Sequence, residues 1–206
     1  MPLICNFWLM RHGEKTGPTA DEMTDFGREQ VCASANAFLP KTGLDLAVHS
    51  DTRRTKESAE IVATVVPVLS GPKECRAMGF KGLYSKDLPY YDFADIEAEL
   101  EEKYGSNRTA YHWLEVCPTM WAARRGLELF MLDTFEQIQR RQRQLGNGVV
   151  NIFGASHDPL CGMAAPRPRE IPAIGTGGIM LYVVKMNNEG EPEIQQPVLL
   201  PCPLQH

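Results

Sequence analysis

The stretch FWLMRHGEKTG, residues 7–17, decides how this chain is read. A run of bulky apolar residues, compatible with a buried strand, ends directly on Arg11 and His12, with Gly13 and Glu14 behind them. Apolar strands normally give way to turn residues. A guanidinium and an imidazole at the carboxyl end instead suggest a sheet edge that presents side chains to an anion. The plainer alternative is a surface arginine beside a partly satisfied histidine, and four residues alone do not separate the two.

Working outward, the 206 residues with 43% hydrophobic content can bury one substantial core, and the usual size of a domain leaves little room for a second. One domain over 1–206 is therefore expected. The net charge of -5 provides no global attraction for nucleic acid or an anionic membrane, so any anion site is local. Arg140, Arg141 and Arg143 read as a solvated helix face. Six cysteines are scattered without a CxxC pair or metal-ligand spacing, which favours reduced thiols in a cytoplasmic setting. No stretch approaches the roughly 20 apolar residues of a bilayer span, and no signal segment is evident, so the chain reads as soluble and unexported.

PLICNFWLM is a strand candidate and MTDFGREQVCASANAFL carries apolar residues at helical spacing, with Thr24 as its N-cap. LDLAVHS is a second strand, and DTRRTKESAEIVATVV a second helix capped by Asp51 or Ser50. A short strand is expected around KECRAM, followed by a Gly- and Tyr-rich loop through GFKGLYSKDLPYYD. FADIEAELEEKYG and TMWAARRGLELFMLDTFEQIQRRQRQL read as amphipathic helices, the latter stopping at Gly146 and Gly148. GVVNIFGASH is a buried strand that ends at another histidine, and GGIMLYVVKM is a further strand. The Pro-rich end, about 190–206, is expected to run irregularly. Alternating strands and helices imply an α/β three-layer sandwich, a mostly parallel central sheet flanked by helices.

In such sheets ligands bind beyond the carboxyl ends of the strands. Three strands here end at Arg11 and His12, at Ser50 with Arg54 in the next turn, and at Ser156 and His157. Two arginines and two histidines on one edge can surround a tetrahedral dianion, because guanidiniums pair with phosphate oxygens through charge-assisted forks and a histidine can attack phosphorus.

These residues resemble the histidine phosphatase, or phosphoglycerate mutase-like, superfamily. LMRHGEKTG carries its Arg-His-Gly behind a strand. MTDFGREQ is similar to Leu-Thr-x-x-Gly-x-x-Gln, HSDTRRTKESAEI to Ser-Pro-x-x-Arg-Ala-x-x-Thr-Ala-Glu, and NIFGASHDPL to the segment with the second histidine. GTGGIMLYVV resembles the closing strand. The resemblance implies the phosphoglycerate mutase-like fold, with His12 as the nucleophile that accepts a phosphoryl group and Arg11, Gly13, Arg54 and His157 around its oxygens. Arg54 is preferred to Arg53 because it stands four positions after Ser50, as in the family pattern. His12 must be neutral to attack, so its other ring nitrogen needs a fixed acceptor, a backbone carbonyl near Gly13. His49, His112 and the terminal His206 are read as structural or outside the site.

The pattern also departs from the family. A glutamate that protonates the leaving group is expected near Met78 to Phe80, and no carboxylate stands there; Glu74 lies in or before the strand. SHDPL and GLYSKD are similar to the small phosphohistidine phosphatase branch, which lacks that glutamate. Asp158 is an alternative acid, or a cap for the next helix, and the lid or insert over about 79–125 is longer than in that branch. The implied activity is a metal-independent, cofactor-free phosphatase acting on a phosphorylated small molecule or phosphoprotein through phospho-His12. The alternatives are a mutase-type phosphotransferase and a non-catalytic phosphate-binding module. A metallophosphatase would instead draw on Glu14, Asp51 and Asp158 as ligands. The physiological substrate and the oligomeric state stay open.

Overall fold

Strand β1, Ile4–Arg11, alternates its side chains between two separate cores. Cys5, Phe7 and Leu9 enter one, while Met10 enters the other with Trp8 at its margin. This two-sided burial follows from the period of two along a strand with helices on both faces. The computed structural model describes residues 2–17, 20–80, 93–142 and 148–204. After β1 come α1 (Asp25–Phe38), β2 (Leu46–His49), α2 (Arg53–Val65), the short β3 (Lys73–Glu74), α3 (Phe93–Tyr104), α4 (Ala110–Val116) and α5 (Thr119–Gln142). They are followed by β4 (Val149–Ser156), α6 (Leu160–Met163), β5 (Ile179–Met186), β6 (Pro192–Ile194) and β7 (Val198–Leu200).

The sheet runs β3-β2-β4-β1-β5-β6, with β7 also paired to β5. The half from β3 to β1 is parallel, whereas β5 lies antiparallel to β1 and to both later strands. Helices α1 and α2 cover one face with Val31, Ala35, Ala59 and Val62. The other face is covered by α3 to α6, including the stripe Met120, Ala123, Leu127, Met131 and Phe135 of α5, all at most 4% exposed. Such a stripe recurs every three or four residues because a helix turns once in 3.6.

Several expectations change in detail. Thr24 does cap α1, its Oγ1 accepting from Gly27 N at 2.9 Å. For α2, however, the N-cap position is Thr52 rather than Asp51 or Ser50; the Ser50 hydroxyl bonds with Thr55 Oγ1 of α2 and, across the sheet edge, with His157 Nε2. The KECRAM strand stops after two residues: Cys75 N donates to His49 O, and the chain turns into the 3-10 segment Arg76–Met78. Helix α4 was not anticipated. The end of the chain is not wholly irregular either, since β6 and β7 add onto β5. Pro192 is tolerated there because β6 is an edge strand, where a missing N–H costs no ladder bond. GLYSKD, Arg143, Gly146 and His206 lie outside the described residues.

Candidate active site

Because β1, β2 and β4 are parallel, their carboxyl ends reach one edge of the sheet. Backbone bonds join the three ends: His12 N donates to Ser156 O at 3.1 Å, and Ser50 N to Ala155 O at 3.1 Å. Arg11, His12, His157 and Asp158, with Arg54 from the first turn of α2, line a single cavity of about 140 Å³. A larger depression of about 490 Å³ lies at the amino ends of the same strands, between Leu44, Val68 and Val149. Its one ionisable side chain, Asp45, already accepts from Asn151 N, so the smaller cavity is the candidate site.

His12 is 4% exposed, and its Nδ1 lies 2.7 Å from the Gly13 carbonyl. A carbonyl can only accept, so Nδ1 carries the proton and Nε2 keeps its lone pair. Burial, with Arg54, Arg11 and Lys15 nearby, pushes His12 down from 6.5 to about 3, although the Gly13 carbonyl favours the charged form. The ring is therefore neutral, as nucleophilic attack requires.

The His157 ring stands 5.3 Å from that of His12, centroid to centroid. Arg54 Nη2 approaches His157 Nδ1 at 3.4 Å, and a guanidinium has no acceptor, so Nδ1 accepts and Nε2 donates to Ser50 Oγ at 2.9 Å. Burial, then His12, Arg54 and Arg11, hold His157 well below its ordinary value. Its Nδ1 is thus unprotonated, and becomes a donor only if a proton is taken up.

Arg11 donates through Nη1 to Ile174 O and stands 3.7 Å from Asp158 Oδ2. Arg54 donates to Asp21 at 3.0 Å. Neither Nε, both buried, has a hydrogen-bond partner among the described residues, leaving donors for an anion. Arg53 is a different case: its side chain is 66% exposed and pairs with Glu22. Asp158 does not cap α6, whose N-cap position is Pro159. Its Oδ1 accepts from Ile174 N at 3.2 Å, its Oδ2 faces Arg11 and Arg108, and burial raises its carboxyl above the ordinary range.

The remaining candidates lie apart. Glu74 is exposed in β3 and Glu14 accepts from Thr24 Oγ1 at 2.8 Å; neither lines the cavity. Asp51 is exposed beside Ser50. Among the described residues no cluster of three His, Cys, Asp or Glu side chains could hold a metal ion. His49 donates to Ser50 O, and His112 closes a capping box with Thr109 while stacking on Tyr104 at 3.7 Å.

Sequence reasoning missed Lys15, Phe80, Glu97 and Trp113, which with Pro159 complete the cavity wall. Phe80 stands where an acid was expected and stacks on His157, ring centroids 5.8 Å apart. The segment before it is held by Ser156 Oγ donating to Met78 O at 2.7 Å. Lys15 lies in the opening stretch and could have been found there, three residues after His12. Glu97 and Trp113 come from α3 and α4, where no local pattern marks them.

The family model of the histidine phosphatase superfamily (branch 1) matches residues 7–148, which leaves His157 beyond the matched part. Among solved structures, mycobacterial hydrolase 1 aligns with a TM-score of 0.64 and 14% identity, covering 94% of this chain and 97% of that one. A mycobacterial glucosyl-3-phosphoglycerate phosphatase gives 0.62 and 14%, covering 94% and 98%. The protein histidine phosphatase SixA, complexed with tungstate, gives 0.50 and 18%, covering 97% and 99%. At these identities the likeness is one of fold. A curated relative, the methane monooxygenase component A alpha chain of Methylococcus capsulatus (strain Bath), is 27% identical over 147 residues, 71% of this chain. The chain spans only 24% of that relative's length.

Proposed function

Because the chain belongs to the histidine phosphatase superfamily (branch 1), we propose that it is a phosphatase that hydrolyses phosphomonoesters or phosphohistidine through a phosphoryl group carried on His12, without a metal ion or cofactor. The observation that carries this reading is the grouping of Arg11, His12, Arg54 and His157 around one cavity, with the His12 lone pair on Nε2.

His12 Nε2 attacks phosphorus as the bond to the leaving oxygen breaks. The Gly13 carbonyl, accepting from Nδ1, stabilises the positive ring that forms. Arg11 and Arg54 hold the equatorial oxygens through charge-assisted bonds. Burial and then the positive neighbours keep His157 unprotonated; the charge of the arriving dianion opposes both, so the ring takes up a proton at Nδ1 and joins the clamp. Asp158 orients Arg11 from behind. Water then attacks phosphorus, the P–N bond breaks, and phosphate leaves with His12 neutral again. Phe80, Glu97 and Trp113 form the wall met by the leaving group.

The test is turnover of p-nitrophenyl phosphate combined with acid-quench trapping of phosphate on the protein. Acid-labile phosphate on wild type and none on His12→Ala is expected. Turnover that persists in His12→Ala would overturn the reading, and transfer to a second phosphorylated metabolite rather than to water would indicate a mutase.

A further inference from the structure

Among the described residues, two carboxyl groups line the cavity, and they are placed very differently. Asp158 is 5% exposed, with Oδ1 engaged by Ile174 N and Oδ2 facing Arg11 and Arg108. Glu97, on α3, is 52% exposed and opens to solvent while sharing the cavity with His12. Its charge is felt at both Lys15 and Asp158, so the carboxyl lies within electrostatic reach of both walls. Arg108 steadies it at 3.7 Å from Oε1, and takes Glu101, one turn further along α3, at the same distance. Where an acid was expected beside His157, the apolar ring of Phe80 stands instead.

From this arrangement we infer that Glu97 is the proton-transfer group of the site, supplied by the inserted helix α3. The inference rests on the phosphatase reading above. As the anionic substrate enters beside it, the solvent-open Glu97 carboxylate takes up a proton from water, and in the first half-reaction it gives that proton to the leaving oxygen as the P–O bond breaks. In the second, the resulting carboxylate takes a proton from the water that attacks phosphorus, and the P–N bond to His12 breaks. The two transfers return Glu97 to its protonated form. A group that must exchange protons with both substrate and water needs access to each, which Glu97 has and Asp158 lacks.

The test compares Glu97→Gln with Glu101→Gln in the full chain, on p-nitrophenyl phosphate and on glycerol phosphate. Nitrophenolate leaves without a proton and an alkoxide does not. Glu97→Gln should therefore lose about 10²–10⁴-fold in kcat/KM on glycerol phosphate. On p-nitrophenyl phosphate it should keep a rapid burst, followed by slow turnover with phospho-His12 accumulating. Glu101→Gln, which removes the same kind of contact to Arg108 but none with the cavity, should behave like wild type on both. Wild-type rates in Glu97→Gln on both substrates would overturn the inference. Equal losses in the two variants would overturn it as well, since Glu97 would then serve only to hold Arg108. Absence of activity in wild type, or its persistence in His12→Ala, would instead bring down the phosphatase reading itself.

Discussion

Gly13 and Gly27 meet backbone to backbone: a Cβ placed on Gly13 would lie 2.0 Å from the Gly27 carbonyl oxygen, and one on Gly27 would lie 2.4 Å from the Glu14 carbonyl oxygen. The glycine after His12 and the glycine in α1 are thus two halves of one contact, and it fixes the loop whose carbonyl binds His12 Nδ1. Gly27→Ala should destabilise the fold by about 1–3 kcal/mol, as overpacking does, because both colliding partners are backbone. Chemical denaturation measures this, and the same variant should lose turnover as the His12 loop shifts. Wild-type stability would contradict the contact.

Arg54 and Arg53 offer an internal control. Arg54→Ala should cost at least 10²–10³-fold in kcat/KM, the scale of losing one donor to a charged transition state, with more from weakened ground-state binding. Arg53→Ala, removing an exposed pair with Glu22, should change it less than about threefold. The reverse order would place the clamp one residue earlier.

His12→Ala should abolish turnover and leave the circular dichroism spectrum unchanged, because the side chain projects from a strand end into the cavity rather than into either core.

The neutral His12 makes stability depend on pH. Its pKa is lowered from 6.5 to about 3 in the folded chain, so below 6.5 the unfolded chain binds a proton that the folded chain does not. Its contribution is complete above pH 6.5 and is lost as pH falls toward 3, with a limiting slope of roughly 1.4 kcal/mol per pH unit. Denaturant midpoints at pH 7 and pH 5 should therefore fall further in wild type than in His12→Asn. Phosphate binding should be accompanied by proton uptake at His157, measurable by calorimetry in buffers of different ionisation enthalpy.

Asp158 should act through Arg11 rather than on the leaving group. Asp158→Asn, which keeps an acceptor for Ile174 N, should weaken inorganic phosphate binding and lower kcat/KM by the same factor on good and poor leaving groups. A loss confined to poor leaving groups would make Asp158 the acid.

In the proposed mechanism, fixed positive charge from Arg11 and Arg54 fills the part a divalent ion plays elsewhere. Activity should survive EDTA, and vanadate should inhibit by adopting the trigonal-bipyramidal geometry at His12. Loss on chelation with recovery on added magnesium or zinc would refute the mechanism.

How much of this was legible beforehand follows from the range over which each feature is set. The endings of β1, β2 and β4 could be read from the chain because apolar periodicity and turn residues are local, and parallel strands must send their ends to one edge. The sequence alone therefore groups Arg11, His12, Arg54 and His157. The residues that complete the cavity were not. Glu97 lies 85 positions from His12 and Trp113 lies 101; they meet it only because α3 and α4 pack over the sheet, and an acidic amphipathic helix looks the same wherever it docks. The same holds for the pairing of β6 and β7 with β5, and for Asp158, whose carboxylate reaches Ile174 instead of the helix beside it. By itself the sequence determined which strand ends bring arginine and histidine to one cavity, since those signals are contiguous along the backbone. Only the tertiary structure decided which partner each ring nitrogen of His12 and His157 meets, that an aromatic ring stands in the expected acid's place, and which residues of α3 and α4 close the cavity. Those properties arise from contacts between distant segments, which leave no mark on local composition.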